Sequence, residues 1–377
     1  WKQADSWLNK FNQEHDKIRL ETELQQLCDD ERRIISELAA AKAWENCLQN
    51  LTERQRTNLI AWAKTIKKIG KGTGKYAPMY RRQAQQYMDE CKGAIPAWVM
   101  PLYRVFETVK PEPETFDVII IDEASQTGPE GLVIQYLAKQ CIVVGDDEQI
   151  SPEAVGIDLN EVNILVKKYL TDIPFNNRYD PQTSLFNQAE IRFRGRIVLR
   201  EHFRCMPEII QFSNDLCYKA SPLKPLRQYP SQRLEPVIVR QVNNGFREGP
   251  SGRALNCPEA DALVDTIAEF CSLKEYADKT MGVISLQGET QAKYIESKLL
   301  TRLSPTELER RRIVCGDAYA FQGDERDVIF MSMVAAPNER IGALVRGADQ
   351  RRFNVAASRA RDQVVLFHTA TLNDLNP

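Results

Sequence analysis

The sequence predicts an α/β fold in which short apolar strands alternate with helices, behind a wholly helical N-terminal segment. Three observations predict it. Residues 1–69 contain neither proline nor glycine and repeat apolar side chains at helical spacing. From about residue 95 the texture changes to β-rich runs at 117–121, 141–144, 197–199, 281–286, 328–333 and 364–368. Nearly continuous apolar strands separated by helices indicate buried parallel sheets covered on both faces. The length of 377 residues, with 43% apolar and 27% charged side chains, suits two or three globular domains with a real core.

The N-terminal helices come first. Leu20, Leu24, Leu27, Ile34 and Leu38, then Leu59, Trp62, Ile66 and Ile69, mark amphipathic faces. They read as a helical subdomain packing on its neighbour, or as a coiled coil for a protein partner. The run GKGTGK at 70–75 raises the question of a phosphate-binding loop. Such a loop needs G-x-x-x-x-G-K-[ST] between a buried strand and a helix. Here three residues separate Gly70 from Gly74, Tyr76 stands where the hydroxyl belongs, and an amphipathic helix precedes. A helix C-cap followed by a basic loop is the better reading. Lys64, Lys67, Lys68, Lys71, Lys75, Arg81 and Arg82 form either a phosphate-backbone contact or a solvated basic face.

Two strands then end in acids. In DVIIIDEASQ (117–126) four apolar residues predict a buried strand delivering Asp122 and Glu123 at its carboxyl end. Such acids hold Mg²⁺ through water and orient a second water, or simply cap a helix. CIVVGDDEQISP (141–152) predicts another buried strand, with Gln149 placed to sense a terminal phosphate. A helix over about 129–139 would make the crossover. Farther on, a strand at 197–199 precedes Arg204. Gln322 and Gly323 form a tight bend before the next strand, and Arg352, Arg359 and Arg361 precede the last one. Arginines at loop–strand junctions opposite an acidic pair suggest a cleft that clamps polyphosphate, because the guanidinium fork is bidentate. The segment 219–258, rich in proline, arginine, asparagine and glycine, reads as irregular surface structure.

Composition narrows the classes. The net charge of -2 argues against a protein basic all over, while leaving room for local patches. Cys28, Cys47, Cys91, Cys141, Cys205, Cys217, Cys257, Cys271 and Cys315 include no C-x-x-C pair, and three histidines complete a poor zinc set. Free thiols point to a reducing, cytoplasmic setting. No apolar run approaches membrane-spanning length. The chain opens at Trp1, which predicts a start farther upstream.

DEAS, GDDEQISP, EHFRCMPEI, DAYAFQGDERDVI and RRFNVAASRAR occur in this order over 117–361. Together they resemble motifs II to VI of superfamily 1 helicases, in the branch containing the nonsense-mediated-decay and DNA-replication helicases. The resemblance implies two RecA-like parallel-sheet domains, the first incomplete. They would divide as a helical insertion at 1–94, the rear of the first domain at 95–190, and the second domain at 191–377. It further implies ATP and Mg²⁺ as cofactors, single-stranded DNA or RNA as partner, and 5′-to-3′ movement. Asp122 would bind Mg²⁺ through water, and Glu123 would activate the hydrolytic water. Gln149, Arg204 and Arg359 would reach the γ-phosphate, Arg359 as the arginine finger. Gly323, Glu325 and Arg352 would border the nucleotide. Ser285, with Gln291 nearby, falls where relatives touch a single strand, or is a plain strand end. Motif I is missing, so truncation is expected and the fragment alone is expected to be inactive. The rivals are a nucleic-acid-binding or scaffold module without turnover and a P-loop ATPase that remodels proteins.

Overall fold

The computed structural model describes residues 1–11, 14–70, 73–149, 157–181, 183–193, 195–227, 233–250, 252–342 and 347–376. The chain forms two compact units, Trp1–Ile120 with Gly131–Ile142, and Ile121–Glu130 with Val143–Pro377. Compactness therefore groups the acidic segments around Asp122 and Asp146 with the C-terminal half, whereas the expected segmentation placed them in 95–190.

The first unit is mainly helical: α1 (Lys2–Phe11), α2 (Glu14–Asn50), α3 (Glu53–Ile69), α4 (Ala77–Cys91) and α5 (Leu102–Thr108). A capping box starts α3. Thr52 Oγ1 accepts the Gln55 amide, and the Gln55 side chain accepts the Thr52 amide. The helix ends on Gly70 at φ +56°, a backbone state that favours glycine. Gly70 is thus the C-cap expected from the sequence, while Lys71 and Gly72 of the GKGTGK run lie outside the described residues. Met88 of α4 is buried with Val109 and Leu137 in a cluster that Trp62 and Trp98 join, their rings edge-on at 5.3 Å. The stripe on α2 behaves differently. Leu20, Leu24, Leu27, Ile34 and Leu38 are all exposed, so the expected packing on a neighbour is not seen among the described residues. Pairs along the helix, such as Arg33 with Asp30 and Glu37, supply local support.

Strands β1 (Phe116–Ile121) and β2 (Ala138–Val143) pair with each other, joined through a 3-10 turn at Pro129–Gly131 and the single-turn α6 (Leu132–Gln135). The expected crossover helix over 129–139 is therefore shorter. Leu137 already accepts the Phe116 amide, which draws the chain into β2. Both strands were expected to be buried, and the structure corrects this. Val118, Ile120, Ile142 and Val144 are exposed, because one face of this two-stranded sheet has no cover among the described residues.

The second unit continues with α7 (Leu159–Tyr169), α8 (Leu185–Arg192), β3 (Glu201–His202), α9 (Pro207–Leu216), β4 (Lys224–Pro225) and β5 (Val237–Gln241). Next come α10 (Cys257–Ser272), β6 (Met281–Ser285), α11 (Glu289–Arg302), α12 (Pro305–Arg310), β7 (Val314–Asp317) and β8 (Arg326–Ser332). β9 (Ile341–Gly342), α13 (Gly347–Ser358), β10 (Ala360–His368) and β11 (Leu375–Asn376) complete it. Five strands form one parallel sheet in the order β5-β10-β8-β6-β7. Alternation along β8 shows why both faces are covered. Ile329 and Met331 enter a core with Ile209 and Ile210 of α9 and Val355 and Ala356 of α13. Val328 and Phe330 enter the opposite core with Leu263 and Ile267 of α10 and Ile295 of α11. The α/β class is thus observed directly. The expected strand at 197–199 is absent. Ile197 and Leu199 are exposed, and the first pairing occurs at Glu201–His202, against Lys224–Pro225. Apolar residues without a partner strand make no sheet. Arg361 lies within β10 rather than ahead of it.

Candidate functional site

The site begins where β1 ends. Asp122 is exposed, and its Oδ1 accepts the Glu123 amide at 2.9 Å. Glu123 has φ +54° and ψ +35°, an uncommon state for a residue with a Cβ. This turn lets Ala124 donate to the Val144 carbonyl at 2.9 Å. The Glu123 side chain accepts from Gln126 Nε2 at 2.7 Å.

Beside it, Gly145 follows β2. A Cβ there would lie 2.8 Å from the Phe186 ring and 3.0 Å from the Ser125 amide nitrogen, so the close approach requires glycine. The Asp146 carboxylate collects the loop that follows. Oδ1 accepts the Glu148 amide at 3.0 Å, while Oδ2 accepts Gln149 Nε2 at 2.9 Å and the Tyr218 hydroxyl at 2.6 Å. Asp147 is held by Arg196 through both carboxylate oxygens, at 2.6 and 3.0 Å, and that bond keeps its pKa below the ordinary value. Burial, then Asp147 and Asp146 nearby, push Glu148 upward.

Helix α13 and the strand starts supply the cationic side. Arg359, 2% exposed between α13 and β10, donates through Nη2 to Gln149 Oε1 at 3.2 Å. Burial, then the neighbouring Arg204, lower its pKa, and Glu123 and Glu325 lie close enough to oppose that shift. Arg359 Nε is buried with no hydrogen-bond partner among the described residues. Arg204 donates through Nε to Glu325 Oε2 at 2.6 Å, and Arg361 approaches Glu325 Oε1 at 3.8 Å. Gly323 turns the chain at φ +78° just before β8. Arg352 lies on α13, its Nη1 3.9 Å from Asp349 and its guanidinium over the Tyr319 ring.

Glu123, Gln149, Arg204, Glu325 and Arg359 are thus brought together by bonds or charge interactions. Ser285 and Gln291 are not. Ser285 is at the carboxyl end of β6, whereas Glu325 and Arg359 precede the amino ends of β8 and β10. Ser285 and Gln291 are both fully buried. Gln291 spends its side chain on Asn256, whose amide it accepts at 2.8 Å and whose carbonyl it bonds at 3.1 Å, and on Ser332 Oγ at 3.1 Å. A direct contact to a single strand from these two positions is corrected accordingly: neither exposes an atom that could make it.

Other contributors come from distant parts of the chain. Arg196, Tyr218, Arg351 and Asn354 lie 49 to 206 residues from the partners they hold in this loop; Arg351 and Asn354 stand inside the RRFNVAASRAR run without being distinguished by it, and Arg196 and Tyr218 stand outside the quoted runs. Asp146 sat inside the quoted acidic run, whose density of carboxylates was the available hint.

Alongside the parallel sheet and this cluster, comparison with known proteins places the chain in the superfamily 1 helicase-like class. Residues 181–370 match the family model AAA_12, an AAA domain, and the chain belongs to that family. It is 25% identical over 305 residues to the uncharacterized ATP-dependent helicase MG140 of Mycoplasma genitalium, covering 78% of this chain and 26% of that protein. It is 29% identical over 263 residues to the regulator of nonsense transcripts 1 homolog of Drosophila melanogaster, covering 67% and 20%. To the 5′-3′ DNA helicase ZGRF1 of Mus musculus it is 23% identical over 258 residues, covering 67% and 13%. The chain therefore spans about a quarter or less of these relatives' length. A solved C-terminal domain of a possible DNA helicase from Lactobacillus plantarum aligns at 16% identity and a TM-score of 0.27, over 46% of this chain and 90% of that one. Among the described residues no helix is long and apolar enough to cross a membrane.

Proposed function

We propose that this chain carries the motif II to VI half of an ATP-driven, superfamily 1 motor that moves 5′ to 3′ along single-stranded DNA or RNA. The observation that carries the reading is the hydrogen bond from Arg359 to Gln149, with Glu123 close enough to bias Arg359 electrostatically. It supports a site where carboxylates and guanidinium groups share one polyphosphate.

Magnesium–ATP fits this donor set. Arg359 Nε is buried and unpartnered, and exposed Asp122 has no cation paired with it among the described residues. The bound group would supply a phosphoanhydride bond and a divalent charge. Asp122 would hold the metal through water. Glu123 would orient a water and take its proton at the carboxylate, with Gln126 fixing the other oxygen. Gln149 and Arg359 would hold the terminal phosphate, with Arg204 released to it from Glu325. Gly323, Glu325 and Arg352 would border the nucleotide. Helices α1 to α4 would serve a protein partner or a neighbouring part of the motor.

The test is ATP hydrolysis by the full-length protein, with and without single strands, comparing the wild type with Glu123→Gln. Loss of strand-stimulated hydrolysis in the variant is expected. Equal hydrolysis by both proteins would overturn the assignment. Residues 1–377 contain no G-x-x-x-x-G-K-[ST], so the isolated chain is expected to bind ATP weakly and hydrolyse it negligibly.

A further inference from the structure

We infer that Tyr218 and Asn354, acting through Asp146, are positioning residues that orient the Gln149 side-chain amide toward Arg359. The inference rests on the proposed nucleotide site and deepens it.

The polarity of each bond in the chain of contacts is set by chemistry. A guanidinium only donates and a carboxylate only accepts. Gln149 lies between one of each: Arg359 at 3.2 Å and the Asp146 carboxylate at 2.9 Å. Its amide therefore has one satisfactory orientation, oxygen toward Arg359 and nitrogen toward Asp146. Turned over, it would set donor against donor and acceptor against acceptor.

The same logic runs outward. Asn354 Nδ2 donates to the Tyr218 hydroxyl at 3.0 Å, which leaves the phenolic proton for Asp146 at 2.6 Å. Asn354 also donates to the Glu148 carbonyl at 2.9 Å, and its neighbour Arg351 donates to the Asp147 carbonyl at 3.1 Å. Helix α13 thus grips the backbone of the 146–149 loop at two carbonyls and its key carboxylate through Tyr218. Burial, then Asp146, push the Tyr218 pKa upward, so the phenol remains a donor across the working pH range. Because α13 leads directly into Arg359, its position sets both partners of Gln149 together. A shift of α13 would move the finger and loosen the amide in one motion.

The experiment reads the amide itself. In the chain labelled with ¹⁵N-glutamine, side-chain NH₂ exchange is followed at Gln149 and at Gln291, whose partners lie at the opposite end of the sheet. Tyr218→Phe keeps the ring and removes only the hydroxyl, and Asp146→Asn keeps the shape and removes the charge. Both should accelerate exchange at Gln149 about tenfold or more, with Gln291 unchanged. Unchanged exchange at Gln149, or equal acceleration at Gln291, overturns the inference, the latter by showing general loosening. In full-length protein that hydrolyses ATP, Tyr218→Phe should lower kcat about tenfold with little change in KM. An unchanged kcat likewise overturns the positioning role. If the wild type hydrolyses no ATP, the nucleotide reading falls while the exchange result still decides the orientation of Gln149.

Discussion

Arg359 donates to the Gln149 side chain at 3.2 Å, joining residues 210 positions apart. The bond brings the loop after β2 against the junction of α13 and β10. The Arg359 side chain is 2% exposed, and its Nε finds no hydrogen-bond partner among the described residues. An unmade bond at a buried donor costs about 1–3 kcal/mol.

Replacing that arginine should separate function from fold. Arg359→Ala and Arg359→Lys are each expected to lower ATP turnover of the full-length protein by about 10³, since a lysine lacks the planar fork. Steady-state hydrolysis checks the rate. Urea unfolding should meanwhile show a loss of only about 1–3 kcal/mol for the alanine variant, from the stranded Gln149 oxygen and Asp324 carbonyl.

His202 makes stability depend on pH. Its Nε2 accepts the Cys205 amide at 3.0 Å, which requires the unprotonated ring. Burial, then the adjacent Arg204, pull its pKa down from 6.5 to about 4. The unfolded chain therefore takes up a proton that the folded chain refuses between these values. Stability contributed by this group is complete above pH 6.5 and is lost as the pH falls toward 4. Unfolding measured near pH 7 and pH 5 should differ by about 2 kcal/mol more in the wild type than in His202→Gln, which can still accept the amide bond. Equal differences would show that His202 is not the group responsible.

Two glycines offer a comparison of space against conformation. A Cβ at Gly282 of β6 would come within 2.7 Å of the Phe321 ring and 3.0 Å of Ile329, both fully buried. Gly282→Ala should cost about 1–3 kcal/mol through overpacking. At Gly323 there is open space, but φ is +78°. Gly323→Ala should cost about 1 kcal/mol through backbone strain alone. Chemical denaturation checks both, and the larger loss is expected at Gly282.

Glu259 anchors the opposite end of the sheet. This fully buried carboxylate accepts Ser332 Oγ at 2.6 Å, the Val334 amide at 2.8 Å and Thr369 Oγ1 at 3.1 Å. It holds Val334 at φ +63°, an outlying state for a β-branched residue. Glu259→Gln should destabilise by about 1–3 kcal/mol, because its amide nitrogen would meet donors where acceptors are needed. A melting temperature within a degree of the wild type would contradict this reading.

The alternation of strands and helices after residue 280 was legible because each of β6, β8 and β10 packs on both faces. The apolar run at 328–333, for example, reports burial directly. Asp122, Glu123, Gln149, Arg204 and Arg359 were legible as candidates because each stands at a strand end or loop within a short, chemically distinctive run. Runs at 118–121, 141–144 and 197–199 carry the same apolar signal, yet they are half-exposed or unpaired. Composition records what a segment can bury, and the presence of a partner strand decides whether it does.

By itself the sequence determined the class of fold, the helical N-terminal segment and the acidic and basic residues available for a polyphosphate site. Only the tertiary structure decided that Gln149 lies between Asp146 and Arg359, that Tyr218 and Asn354 hold the loop, and that Ser285 and Gln291 face inward. The physical reason is range. Apolar periodicity and turn chemistry act between near neighbours, so they are written locally. A hydrogen bond has a direction and a reach of about 3 Å, and its partners are chosen only after distant segments have packed.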